Sequence, residues 1–263
     1  MSDGSIKNHR NSLEWHKTSC FITGTDTGVG KTMVTGGLAL AMQSRHHTVG
    51  IMKPVETGLK LLSHQRESDG AQLYTISSHQ EPMELTSPYR FQTAMAPLAA
   101  SRQEHAPIDI SRVVAAHTHL LQHNNYVIVE GVGGVMVPLT VDSDVRDLIQ
   151  TLRCPSIIVS QAFLGAINHT LLTIQALQDL NIPILAILLN RTAPTSENQT
   201  SIQQLVSTKE ILQERTPVPI LGPMEYLSHT GPMGRDFFRK LSETEWIIHL
   251  SDLLEKRMQG TDS

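Results

Sequence analysis

The chain has 263 residues, 40% of them hydrophobic, and a formal net charge of -4. That apolar content suffices for one sizeable core, while the mild acidity and the lack of any Lys/Arg block exclude a protein built to bind nucleic acid or an anionic membrane. The only cysteines, Cys20 and Cys154, are too few to staple a domain of this size, and their spacing gives no CxxC metal or redox pair. No apolar run reaches the length of a membrane span, and residues 1–17 are too polar for a signal peptide, so a soluble cytoplasmic protein is expected.

Residues 1–17 show no periodicity and read as a mobile extension; residues 18–263 read as one domain. In chain order, a strand is expected over 19–23, a helix over 31–44, a strand over 48–52, a helix over 110–123 and a strand over 126–130. There follow a helix over 145–152, a strand over 156–159, a helix over 165–180, a strand over 184–190, a helix over 201–214, a strand over 218–221 and a helix over 243–256. Tyr126-Val127-Ile128-Val129 and the apolar run 184–189 lack in/out alternation, as parallel strands covered on both faces do. Strand–helix alternation predicts an α/β fold with a doubly wound, mostly parallel sheet, which binds ligands at the carboxyl ends of its strands.

Gly24-Thr25-Asp26-Thr27-Gly28-Val29-Gly30-Lys31-Thr32 joins the first strand to the first helix. This is the context a P-loop requires. Glycines let backbone N–H groups close around phosphate oxygens, Lys31 reaches the β- and γ-phosphates, and the Thr32 hydroxyl suits Mg²⁺. The helix start, from Lys31 through Met33, adds a favourable dipole worth on the order of 1 kcal/mol. A Gly-rich turn that binds nothing is the bland alternative, and Gly-Lys-Thr opening a helix after an apolar strand argues against it.

Lys53 ends the second strand, because Pro54 keeps it extended. It either holds an anion or is a solvated surface lysine. Thr57, beside Gly58, either donates to the same anion or caps a turn. Glu130 ends a buried strand and precedes Gly131-Val132-Gly133-Gly134, read as a flexible loop. A carboxylate there either helps hold Mg²⁺ or pairs with a neighbouring cation. Asp69 is either a second Mg²⁺ ligand or a helix N-cap. Gly165-Ala166-Ile167-Asn168 opens a helix whose free N–H groups suit a carboxylate, or is an ordinary helix start. Asn190 and Arg191 end another strand, where Asn190 is placed to read a base; the guanine-specific Asn-Lys-x-Asp pattern is absent, which favours ATP over GTP. The 13 histidines show no HExxH spacing, and no Ser/His/Asp or Cys/His nucleophile emerges.

These segments, with Pro138-Leu139 and Leu164, run in one order from Cys20 to Leu227 and resemble dethiobiotin synthetase, the ATP-dependent cyclase of biotin synthesis. The early first glycine of the loop is itself a trait of that family. The resemblance implies ATP, CO₂ or bicarbonate and 7,8-diaminopelargonate as substrates, Mg²⁺ as cofactor and a carbamic-phosphoric anhydride on the way to the ureido ring. It implies that Lys31, Lys53 and Thr27 act in catalysis and that Thr32, Asp69 and Glu130 hold Mg²⁺. Nucleotide contacts would come from Gly28, Val29, Gly30, Lys31, Thr32, Met33, Glu130, Gly131, Val132, Gly133, Asn190, Arg191, Glu225, Tyr226 and Leu227. Thr57 would touch the diamine. The family works as a homodimer with a shared site, in which Gly165, Ala166, Ile167 and Asn168 of one subunit bind the substrate carboxylate of the other. Gly28 stands where some members have Glu, and Glu225 precedes the aromatic where members often have Pro. ParA/MinD-like switch ATPases resemble the chain in fold, but their signature lysine is replaced by Asp26.

Overall fold

The computed structural model describes residues 14–61, 68–79, 81–163, 165–194, 199–228 and 231–260. Residues 1–13 of the expected extension, and Leu164 of the resemblance, lie outside these. The described end of the extension is docked: Trp15 packs against the core and the His16 N–H donates to the Arg153 carbonyl.

The first half of the chain holds β1 (Ser19–Gly24), α1 (Lys31–Ser44), β2 (Val49–Met52), β3 (Val55–Glu56), α2 (Asp69–Tyr74), α3 (Met83–Thr86), β4 (Tyr89–Arg90), α4 (Pro97–Gln103) and α5 (Ile110–His123). The second half holds β5 (Tyr126–Gly134), α6 (Val145–Leu152), β6 (Ser156–Gln161), α7 (Ala166–Gln178), β7 (Ile184–Asn190), α8 (Gln199–Arg215), β8 (Ile220–Met224), α9 (Arg235–Ser242) and α10 (Glu245–Gln259). Six strands form one sheet in the order β2-β5-β1-β6-β7-β8, and every pairing is parallel. β3 and β4 pair separately.

Successive β1 residues feed two cores. Cys20 and Ile22 enter the one shared with α1, α9 and α10, and Phe21 enters the one shared with α5, α6 and α7. Both faces are therefore apolar, which explains the missing alternation. Helix starts are fixed locally. The Asp109 carboxylate accepts from the Ser111 N–H at 2.8 Å, and Asp144 with Asp147 forms a capping box at α6.

α1 is buried along residues 31–42, between the sheet and α9 with α10. Close approach of α9 depends on Gly36, where an added Cβ would lie 2.2 Å from the Phe238 ring. Two sequence expectations change. β5 does not end at Glu130 but runs through Gly134, which pairs with Gly24, so the glycine run is held in the sheet rather than free. The segments β3, β4, α3, α4 and α9 were not anticipated.

Candidate active site

β1, β2 and β5 are neighbours, so their carboxyl ends deliver the phosphate loop, Lys53 and Glu130 to one crevice. The loop's turns use left-handed backbone at Gly28 (φ 74°) and at Gly30 (φ 96°), the N-cap of α1. A Cβ on Gly30 would lie within 2.1 Å of Asn190 Nδ2. That amide donates to the Val29 carbonyl at 2.9 Å, so β7 braces the loop from behind. Asn190 is fully buried and its Oδ1 has no hydrogen-bond partner. Val29 and Met33 turn their side chains into the core beside α1.

Lys31 folds back over the loop and donates to the carbonyls of Asp26 (2.8 Å) and Gly133 (2.9 Å). Burial, then repulsion by Lys53, lowers its pKa to about 8, against the pull of Glu130 and Asp69. Lys53 is only 4% exposed. It donates to Glu130 Oε1 at 2.5 Å and to the Gly131 carbonyl at 3.0 Å, and it lies 3.5 Å from Asp69 Oδ2. Burial works against its charge, but the carboxylates of Glu130 and Asp69 outweigh it and hold the ammonium above the usual lysine range. A solvated surface lysine is thus ruled out.

Glu130 is fully buried. Its Oε1 accepts from both Lys53 and the Thr32 hydroxyl (2.9 Å), while its Oε2 has no partner. Burial pushes the carboxyl up, with Lys53 pulling the other way. Asp69 does not cap α2. Ser68 does, its hydroxyl accepting from the Ala71 N–H at 3.1 Å, which leaves the partly exposed Asp69 carboxylate turned to Lys53.

Two contributors escaped the sequence reading. Glu56 Oε1 accepts from the Gly70 N–H at 3.0 Å, and Glu56 Oε2 sits 3.6 Å from Arg90 Nε. Through them the β3–β4 pair anchors the start of α2, and with it Asp69. The only available signal was a carboxylate inside Lys-Pro-Val-Glu-Thr-Gly; its partners lie on other elements.

The remaining residues gather less tightly. Thr27 is exposed on the loop, its N–H donating to Asp26 Oδ1 at 2.7 Å. Thr57 is half-buried just after β3. Val132 leans on the second core. The Arg191 N–H donates to the Met224 carbonyl, which ties β7 to the Glu225-Tyr226-Leu227 segment beyond β8; Leu227 packs on the core and Glu225 is exposed. Gly165 (φ 100°), Ala166, Ile167 and Asn168 begin α7, and among the described residues no hydrogen bond or ion pair joins them to the lysine–carboxylate cluster of their own chain. No helix among the described residues is long and apolar enough to cross a membrane.

The crevice therefore offers two lysines, a buried carboxylate with one free oxygen, a second carboxylate and a glycine loop of backbone donors. Such a set holds polyphosphate and a hard cation. Residues 18–233 match a family model described as an AAA domain. The chain is 37% identical over 220 residues to the ATP-dependent dethiobiotin synthetase BioD of Thermodesulfovibrio yellowstonii, covering 81% of this chain and 90% of that protein. It is 39% identical over 201 residues to the synthetase of the same name from Anaeromyxobacter dehalogenans, covering 76% and 88%. Of solved structures, pNOB8 ParA superposes with a TM-score of 0.54 at 14% identity, covering 93% of this chain and 99% of that one, which is a likeness of fold alone. The chain belongs to the dethiobiotin synthetase family of ATP-dependent ligases.

Proposed function

We propose that the chain carboxylates and cyclises 7,8-diaminopelargonate with CO₂ and MgATP, releasing dethiobiotin, ADP and phosphate. The observation that carries this reading is the convergence of Lys31, Lys53 and Glu130 at the ends of three adjacent strands. One amine of the diamine adds to CO₂ and loses a proton, giving a carbamate. The carbamate oxygen attacks the γ-phosphorus, and the bond to the β-phosphate bridging oxygen breaks with ADP leaving. The second amine then attacks the carbamoyl carbon, the C–O bond to phosphate breaks, phosphate departs and a proton is lost.

No side chain need form a covalent bond; placement and charge neutralisation supply the rate. Lys31 exchanges its loop carbonyls for phosphate oxygens, since an ammonium gains more from an anion than from a neutral carbonyl. Lys53 neutralises the carbamate and the transferring phosphoryl group. Thr27 and Thr57 hydrogen-bond the carbamate and diamine. The partnerless Glu130 Oε2, the Thr32 hydroxyl and the Asp69 carboxylate are hard oxygen donors, and they suit Mg²⁺. When bound, Mg²⁺ neutralises charge on the phosphoryl oxygens. The backbone of Gly28 to Met33 wraps the phosphates, with Gly131, Val132 and Gly133 on the facing side. Asn190 Oδ1 accepts from the adenine amino group, beside Arg191 and Glu225, Tyr226 and Leu227.

The substrate carboxylate binds the N–H groups of Gly165, Ala166, Ile167 and Asn168 from a second subunit, the Ala166 N–H exchanging the Phe163 carbonyl, to which it donates at 3.0 Å, for the anion. Exposed Phe163, just before that helix, and Leu172, about two turns along it, are 47% and 61% accessible and support a homodimer there. A ParA/MinD-like switch has only the shared fold in its favour.

Purified protein given diaminopelargonate, bicarbonate and MgATP is expected to form ADP and a ureido product in equal amounts. Lys53→Ala is expected to abolish turnover while nucleotide binding persists. ATP hydrolysis indifferent to the diamine would refute the synthetase reading and favour the switch.

A further inference from the structure

A second cluster lies at the opposite edge of the sheet. α5 ends at His123 and its chain enters β5 at Tyr126, so the end of α5 sits at the amino edge of the strands, away from the phosphate loop. There Glu81, His119 and His123 bring one ligand atom each to within 4.8 Å of one another. We propose that these three side chains form a binding site for a divalent transition ion of the Zn²⁺ class.

Four observations carry it. His119 and His123 are four residues apart on α5, which places both imidazoles on one helix face. Their rings lie nearly parallel, with centroids 4.2 Å apart. His123 Nδ1 sits 2.8 Å from the His119 carbonyl, a neighbour that can only accept. The proton is therefore on Nδ1, and Nε2 keeps its lone pair outward, in the tautomer that metal-bound histidines hold through a backbone carbonyl. His119 Nε2 donates to Glu81 Oε2 at 3.2 Å, and a bound ion would take the place of that shared proton. With bonds of roughly 2.0–2.1 Å, the edge of a tetrahedral zinc site is roughly 3.3 Å, so this pair already spans one edge.

Two imidazoles and one carboxylate select Zn²⁺, Ni²⁺ or Cu²⁺ over Mg²⁺ and Ca²⁺, which take all-oxygen sets. The ion is structural in this role. Glu81 directly precedes Pro82, the N-cap of α3, and α3 packs on α5, so an ion shared by the three residues staples the entry of α3 to the end of α5. It is separate from the cation of the proposed reaction.

The test is calorimetric titration of the full chain with Zn²⁺ after dialysis against chelator, with excess Mg²⁺ present to occupy the oxygen donors of the crevice. One saturable site per chain is expected. His123→Ala and His119→Ala should each weaken it by at least about tenfold, and Glu81→Gln by several-fold, with turnover unchanged. His123 is exposed, so its loss should leave the fold intact, which circular dichroism checks. Absence of saturable binding, or equal affinity in the His119→Ala/His123→Ala double variant, would overturn the assignment.

Discussion

Lys31 is held charged in an unfavourable place, and that has a measurable thermodynamic consequence. Its folded-state pKa is lowered from 10.5 to about 8, first by burial and then by Lys53. In the unfolded chain the same group titrates near its ordinary value. Between about pH 8 and pH 10.5 Lys31 therefore binds its proton more fully in the unfolded chain than in the folded one, and its own contribution to the stability of the ligand-free protein rises with pH across that window, while the buried thiols of Cys20 and Cys154, whose pKa values burial raises, act in the opposite direction in both proteins compared. At about 1.4 kcal/mol per pH unit, the penalty present below pH 8 and relieved above pH 10.5 amounts to about 3 kcal/mol. Lys31→Met removes the titration while keeping length and apolar stem. Unfolding free energies from urea midpoints, measured for both proteins from pH 7 to 10.5, should diverge by about 3 kcal/mol in favour of the wild type as pH rises. Saturating tripolyphosphate should shrink the divergence, because a bound anion restores the lysine's affinity for its proton. A difference that stays flat with pH would show that Lys31 is not desolvated as the geometry requires.

Two further perturbations read other parts of the molecule. Glu130→Gln leaves the buried Lys53 ammonium with Asp69, at 3.5 Å, as its one ion-paired carboxylate beside the neutral Gly131 carbonyl, which should cost about 3–5 kcal/mol in urea unfolding; adding Lys53→Met should recover most of that stability without activity, and a single variant within about 1 kcal/mol of wild type would contradict the buried pair. Gly36→Ala drives a methyl into the Phe238 ring and should cost about 1–3 kcal/mol; Phe238→Leu in the same chain should restore part of it, and simple additivity of the two losses would argue against close packing of α9 on α1.

Local features made much of this molecule legible. The phosphate loop is contiguous, and its glycines, lysine and threonine announce their geometry from spacing alone. α5 and α6 begin at Asp109 and Asp144, whose carboxylates cap their own backbone, so their starts are written where they occur. What stayed hidden was pairing at a distance. A surface lysine stayed an open alternative for Lys53, because its partner Glu130 is brought beside it only by the β2–β5 pairing. Asp69 looked like a cap because nothing in the sequence says that Ser68 takes that role. β3 and β4 span two residues each, too short for any period to register. α9 is a short helix whose necessity shows only in the missing side chains of Gly36 and Gly37, far back in the chain.

The burial of α1 beneath α9 and α10 bears on where this protein can be cut. The family match stops at residue 233, just before α9 begins at Arg235. Trimming the chain to the matched span would remove Phe238, Leu241, Ile247, Leu250 and Leu254, the roof over Val34, Leu38 and Met42. The helix that carries Lys31 and Thr32 would then present an oily flank to water, and the trimmed protein would aggregate before it could bind a nucleotide. For this chain the end of the matched span and the end of the foldable unit are different places, and the C-terminal helices belong to the second.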